Sequence, residues 1–423
     1  MHSAKAFVFM SLALTALFCV LVGSLVYVID PYGMNGRFLV GGVNRAKIEP
    51  VFHERLYKAE ALRSRQPTAI ALGTSRTERG LPMDHDGWAR PLPERFNASL
   101  VGANMYELMR YFEHASRCTR LRQVVLGLDL AAFNVYKANQ PDFDELLLLR
   151  TDHAAPLAPW AGELKVYFSL DGLLASIRTI EDNRRGIQPF LLDDGSADPA
   201  VFETAIVADG GQRNGFRAAA IVALTHLNFP PPLGRFALEG ADGSNAMRYL
   251  ERIIEIARRD NIDLRLFISP SHAYEWEALR AAGLWPTFEE WKRRLVRLLA
   301  QDARRYPGAS PIALWDFSGY DTIDSEPIPA PGDVQTRMRW YWEASHFTVA
   351  TGALILDRVF ADSPASPFAG PADFGVRITE SNIEEHLKQV RADRERYRQT
   401  HGAEVAEIQA IAATLAPQRH VRP

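Results

Sequence analysis

Thr68-Ala69-Ile70-Ala71-Leu72-Gly73-Thr74-Ser75-Arg76 is the stretch on which the fold turns. Its first six residues form a short apolar run flanked by turn formers, which predicts a buried strand. A glycine, then a serine, then a helix start follow the run. This arrangement can expose a serine hydroxyl at the top of a sheet, where a base could activate it. Ser75 could equally do no more than cap the next helix, since serine is a favoured N-cap. No Gly-Lys-Ser/Thr follows, which argues against a phosphate loop.

Outward from this turn, apolar runs alternate with helical periodicity. Met105, Leu108, Met109 and Phe112 recur at helical spacing over 104–115. Residues 123–130 (QVVLGLDL), 263–268 (DLRLFI) and 312–317 (IALWDF) read as further strands. Residues 54–65, 245–259, 288–305 and 348–360 read as helices. Strands alternating with helices predict an α/β domain with a mainly parallel sheet. Such sheets carry their sites in the crevice at the carboxyl ends of the strands. From about 135 to 243 the rhythm breaks around Pro141, Pro156, Pro159, Pro189 and Pro230-Pro231-Pro232, which predicts an inserted cap with its own helices.

The N-terminal side has a different character. Residues 6–29 carry no charge. A helix of that length, at about 1.5 Å per residue, covers the ~30 Å hydrocarbon core of a bilayer. A cleaved signal peptide has a shorter apolar region, about 7–15 residues. Val22 and Ser24 could form a weak cleavage site, but the run continues past them to Ile29, which predicts an uncleaved anchor over 1–29. Phe18 before Cys19 does not make a lipoprotein site. Lys5 precedes the span while Arg37, Arg45 and Lys47 follow it, so flanking charge leaves the orientation nearly neutral. Asp30-Pro31-Tyr32-Gly33 ends the helix, because proline cannot continue it and glycine permits a turn.

Composition narrows the class. The 423 residues allow one large domain with insertions, or two. With 47% apolar and 23% charged residues, the chain can bury a globular core. A net charge of −3 leaves no broad basic surface for nucleic acid. The two cysteines, Cys19 and Cys118, provide neither a disulfide framework nor a Cys-rich zinc module. At the other end, Ser381-Asn382-Ile383-Glu384 has the form of a capping box. Ile383, Leu387, Val390 and Tyr397 then make a stripe, which predicts a helical extension over 363–423. This helix either packs on the domain or meets a partner protein.

Four further places could carry chemistry. In Glu343-Ala344-Ser345-His346 the carboxylate could orient the imidazole and fix its tautomer for general-base work. About one such pair is expected by chance, so its weight comes from position, after the last expected strand and before the last helix of the core. Gly102, in a turn before a helix, could let its backbone N–H approach a substrate closely. Asn104 could add a side-chain donor. His272 follows a strand end and faces either the crevice or the core, and Asp316 is a rival partner for His346. Trp340-Tyr341-Trp342 could stack on sugar rings or fill the core.

Together, a strand-end serine, a turn glycine, Gly127-Leu128-Asp129 after the next strand and a terminal acid-x-x-His resemble the SGNH (GDSL-like) hydrolase superfamily. Within it, the chain resembles the membrane-anchored branch near the periplasmic alginate O-acetyltransferases and the lipoteichoic-acid D-alanylation protein, and its Asp-Pro-Tyr-Gly, Gly-Thr-Ser-Arg and Leu-Gly-Leu-Asp-Leu stretches resemble a group of proteobacterial proteins of that type. The likeness covers about 30–362, outside much of the cap. It implies a three-layer SGNH-like fold, Ser75 as nucleophile, His346 as general base, Glu343 as its orienter and Gly102 as an oxyanion element. The family pattern has Gly-x-Asn where this chain has Asp129, and an ionised aspartate cannot donate. Asn104 substitutes for it, or Asp129 is protonated, or the oxyanion hole is weak.

The resemblance further implies acyl-ester hydrolysis or O-acyl transfer on a cell-envelope polysaccharide, with no metal or organic cofactor. It implies a single-pass protein of the bacterial inner membrane, facing the periplasm. Its expected partners are an acylated or acceptor glycan, inner-membrane lipid around the N-terminal helix, and a membrane-bound acyl donor protein, with no nucleic acid. Two alternatives stand beside it. One is a non-catalytic scaffold or glycan-binding component of a polysaccharide assembly or export complex. The other is a zinc hydrolase using His272, His346 and Glu343, for which no ligand spacing is recognisable.

Overall fold

A computed structural model describes residues 2–88, 95–148, 164–361 and 368–419. The chain divides into two compact units. One comprises 1–66, 117–120 and 141–193, and the other comprises 67–116, 121–140 and 194–423. The expected cap, about 135–243, falls partly in each unit. Its residues 141–193 belong to the unit that carries the N-terminal helix, and 194–243 belong to the unit that carries the sheet. Part of the cap, 149–163, lies outside the described residues.

In the first unit, the helix His2–Ile29 is long and apolar enough to cross a membrane. It stops where Asp30 turns left-handed, at φ 50°. The Asp30 carboxylate accepts the N–H groups of Met34 at 2.7 Å, Asn35 at 3.2 Å and Gly36 at 2.9 Å. Those donors fix the turn that Pro31 and Gly33 permit. The helix Leu170–Arg185 packs beside the last turns of the apolar helix.

The second unit is built on six strands. They are β1 (Ala69–Leu72), β2 (Arg95–Asn97), β3 (Gln123–Leu128), β4 (Asp263–Ile268), β5 (Leu314–Asp316) and β6 (Val376–Arg377). Their order across the sheet is β2-β1-β3-β4-β5-β6, with the first five parallel and β6 antiparallel. β1 and β3 are buried along their whole length, as continuous apolar runs in a parallel sheet should be. Because β1 is flanked by β2 and β3, the strand order reverses between β1 and β3. That gap is the switch point where doubly wound sheets open a crevice.

Two pairs of glycines set the spacing around this point. A Cβ on Gly73 or on Gly127 would stand 2.2 Å from Thr77 Oγ1, so the turn after β1 and strand β3 can close on Thr77 only without side chains. A Cβ on Gly352 would stand 1.8 Å from the Gly80 carbonyl, so the helices Ser75–Gly80 and Val349–Val359 touch through bare backbone.

The helices Ile383–Thr400 and Gly402–Arg419 belong to the sheet unit. Ile383, Leu387, Val390 and Tyr397 are buried, and Arg394 forks onto Glu277 at 2.7 and 3.0 Å. The stripe therefore packs on the domain. The expected capping box does not form. Asn382 accepts the Thr379 N–H at 2.7 Å, and Glu384 is drawn off to Arg293 at 2.6 Å.

Candidate active site

Ser75 opens the short helix after β1, and His346 lies in the loop that leads into Val349–Val359. The contact between Gly80 and Gly352 joins these two elements and so brings the loop over the turn. The His346 Nε2 lies 2.8 Å from Ser75 Oγ, within hydrogen-bonding reach. On its other side, His346 Nδ1 hydrogen-bonds the Glu343 carboxylate. The second Glu343 oxygen accepts the Ser345 N–H at 2.8 Å. Nδ1 is thereby the protonated nitrogen, and Nε2 is free to accept from the serine.

The electrostatics keep this imidazole neutral. Burial lowers the His346 pKa first, the Arg79 charge lowers it further, and Glu343 opposes both. Arg79 Nη1 lies 3.3 Å from His346 Nδ1. Burial alone would raise the Glu343 carboxyl, but His346 beside it and hydrogen bonds to it hold it below the usual range. A neutral histidine in contact with a hydroxyl is the state a general base requires.

Beneath the serine lies a buried charge cluster centred on Arg76, whose importance the sequence did not reveal. Arg76 donates to Asp129 Oδ1 at 2.7 Å, to the Ser345 carbonyl and hydroxyl at 3.0 Å each, and to Glu275. One guanidinium thus ties together the ends of β1 and β3, the helix Ala273–Ala281 and the loop that carries the base. Desolvation pushes the Glu275 carboxyl up to about 7 against the pull of Arg76. Asn97, fully buried at the end of β2, donates to the carbonyls of Thr77 and Glu78 at 3.2 and 3.3 Å and braces the short helix. A hydrophobic-periodicity search cannot find such residues, because their partners are distant in sequence.

The remaining candidates fall elsewhere. Asp129 is an acceptor. It takes the Thr74 hydroxyl at 2.6 Å in addition to Arg76, so it secures the turn and donates to no oxyanion. Asn104 does not substitute for it. Its amide donates to the Lys137 carbonyl and to Asn139, both at 2.9 Å, and its oxygen accepts the Glu107 N–H. Gly102 has the left-handed conformation expected of a turn glycine, at φ 66°, and its carbonyl accepts from Gln140 at 3.0 Å. Backbone bonds from Ala98 to Ala71 and from Leu100 to Gly73 carry this loop along the end of β1. Among the described residues, the N–H groups of Ser75 and Gly102 have no protein acceptor.

His272 is a core histidine. Its Nδ1 accepts the Tyr274 N–H at 3.1 Å, its Nε2 donates to the Glu326 carbonyl at 2.7 Å, and burial lowers its pKa to about 4. Its ring packs between Phe216 and Tyr341. This removes it from both the crevice and the zinc alternative. Among the described residues, no group of three His, Cys, Asp or Glu side chains is placed to hold a metal. Asp316 does not reach His346, because it pairs with Lys292 at 2.7 Å and His386 at 2.8 Å. The aromatic run divides. Tyr341 fills the core, while Trp342 is half-buried against Phe202, over which Arg79 lies at 5.2 Å.

No family model matches the sequence, and no curated protein matches it significantly. The chemistry of the site therefore rests on its geometry.

Proposed function

We propose that the protein is a membrane-anchored, SGNH-type acyl-ester hydrolase or O-acyltransferase acting on a cell-envelope polysaccharide from the periplasmic side of a bacterial inner membrane. The observation that carries this reading is the 2.8 Å contact of Ser75 Oγ with an imidazole whose far nitrogen is held by Glu343. The strand order β2-β1-β3-β4-β5, with the serine directly after β1, suits a three-layer SGNH-like fold.

Ser75 Oγ attacks the acyl carbon as His346 Nε2 takes its proton. Glu343 stabilises the imidazolium that forms. The N–H groups of Ser75 and Gly102 are the available donors to the tetrahedral oxyanion. Collapse breaks the ester C–O bond, and His346 returns the proton to the departing alkoxide. The acyl group, now on Ser75, passes to water in hydrolysis or to a sugar hydroxyl in transfer, with His346 again removing the proton. Trp342 and Phe202 beside Arg79 offer a surface for a sugar ring.

A fluorophosphonate probe tests the reading on the full chain in detergent. Wild type should label, and Ser75→Ala and His346→Ala should not. Equal labelling of Ser75→Ala, or none of wild type, would overturn it. The acceptor role of Asp129 favours a second reading, a glycan-binding scaffold. Acetylated-glycan binding unchanged in Ser75→Ala, without turnover in wild type, would support that alternative.

A further inference from the structure

The first unit contains an exposed apolar collar around the end of the N-terminal helix. On Leu170–Arg185 the buried residues are Gly172, Ala175, Ser176 and Thr179, a stripe at helical spacing that faces its own unit. The outward face of a helix in water should then be polar. Here its first half carries Leu170 at 71% exposure, with Leu174 and Ile177 at 45% each. Its second half carries Arg178, Glu181, Arg184 and Arg185, so polarity changes along the axis.

The contacts give this gradient a depth. A Cβ on Gly23 would stand 2.6 Å from the Phe168 ring, and one on Gly172 would stand 3.2 Å from Val26. Farther along, Arg178 meets Glu49 at 2.8 Å and Asn183 meets Ala46 at 2.8 Å, both beyond the end of the anchor. The half that exposes Leu170, Leu174 and Ile177, whose one charge, Asp171, is held by the Tyr32 hydroxyl at 2.8 Å, therefore lies level with the last turns of the anchor, and the more highly charged half lies beyond them. A second exposed apolar element, Phe38-Leu39-Val40, folds back to the same level. The Tyr27 ring contacts Phe38 at 6.2 Å on one side and Tyr167 at 5.6 Å on the other. Tyrosine at such a level is the side chain that favours a membrane–water boundary.

We infer that Phe38–Val40 and the face formed by Phe168, Leu170, Leu174 and Ile177 form a second membrane-contacting surface, immersed in the lipid interface beside the anchor. Its partner is the lipid itself, because the surface continues the apolar face of a helix long enough to span a bilayer. This rests on the anchor reading and is independent of the chemistry at Ser75. Arg37 and Lys165 flank the collar and suit the anionic phosphates of the headgroup layer.

The test uses the full chain in phosphatidylglycerol–phosphatidylcholine vesicles containing lipids with a nitroxide high on the acyl chain. An environment-sensitive fluorophore is attached to the native Cys19 in a Cys118→Ser background. In a Cys19→Ala, Cys118→Ser background it is attached instead at Leu170→Cys, Leu174→Cys or Glu181→Cys. Labels at 170 and 174 should shift to the blue and lose fluorescence to the nitroxide lipid, while a label at 181 should do neither. A quenched Cys19 label with unquenched labels at 170 and 174 would overturn the inference and leave the anchor intact. Blue-shifted but unquenched labels at 170 and 174 would likewise overturn it, showing protein rather than lipid on that face. An unquenched Cys19 label would overturn the anchor, and the inference with it.

Discussion

Gly352 and Gly80 meet so closely that a Cβ on the former would stand 1.8 Å from the carbonyl oxygen of the latter. This contact joins the helix that starts at Ser75 to the helix that follows His346. Gly352→Ala must therefore push the two apart. Overpacking of this kind costs roughly 1–3 kcal/mol, and it lengthens the 2.8 Å contact on which proton transfer depends. A lower melting temperature with loss of probe labelling at Ser75 is expected. Unchanged labelling would show that the contact does not set the geometry of the site.

Arg79 helps to keep His346 unprotonated. Because burial and this charge both lower the histidine's pKa, the imidazole stays neutral to a lower pH than an ordinary histidine, and the proposed activity should persist there. Arg79→Gln removes the larger of the two charges that lower it, leaving burial and Arg76. The imidazole then accepts a proton at higher pH, and the acid limb of kcat/KM for an ester substrate moves to higher pH. A limb that stays in place, or moves to lower pH, contradicts this account.

Asp129→Asn restores an amide where the resembled family has one, but a gain in turnover is not expected. The carboxylate is the ion-pair partner of the buried Arg76 and accepts the Thr74 hydroxyl. Breaking a buried pair typically costs about 3–5 kcal/mol, and Arg76 retains Glu275. A loss at or below the lower end of that range, with slower acylation, should appear in thermal melts and probe kinetics. Faster acylation would show that Asp129 blocks the oxyanion hole.

Asp316 is buried between Lys292 and His386. Burial alone would raise its carboxyl, but these two partners hold it well below the usual range. A depressed carboxyl stabilises the fold above its unfolded pKa, about 3.9, and this contribution disappears as pH falls through the folded value. Asp316→Asn leaves Lys292, 1% exposed, without its counter-charge, a loss of about 3–5 kcal/mol. Denaturation in detergent across pH should show both the loss at neutral pH and a flatter acid limb.

Much of the sheet was legible because its central strands are continuous apolar runs. Residues 263–268 were read with their observed bounds, and β1 and β3 lie within the expected runs. β2 and β6 went unread, since three and two residues are too few to show a period. The serine and the acid-x-x-His were legible from their places in the strand–helix order. Arg76, Glu275 and Asn97 were not, because each acts through partners that only the folded chain brings near. The sequence leaves His272 open between crevice and core and offers Asn104 as a donor, because it shows the residue type and not the bonds that occupy it.

His386 completes the buried ion cluster at the end of β5 from a helix that follows the sheet. As the chain emerges from the ribosome, every parallel strand is present well before that imidazole. Until it arrives, Asp316 and Lys292 form an incomplete cluster, and the Asp316 edge of the sheet lacks its cover. A nascent chain that has not yet delivered His386 should therefore remain sensitive to proteases and dependent on chaperones.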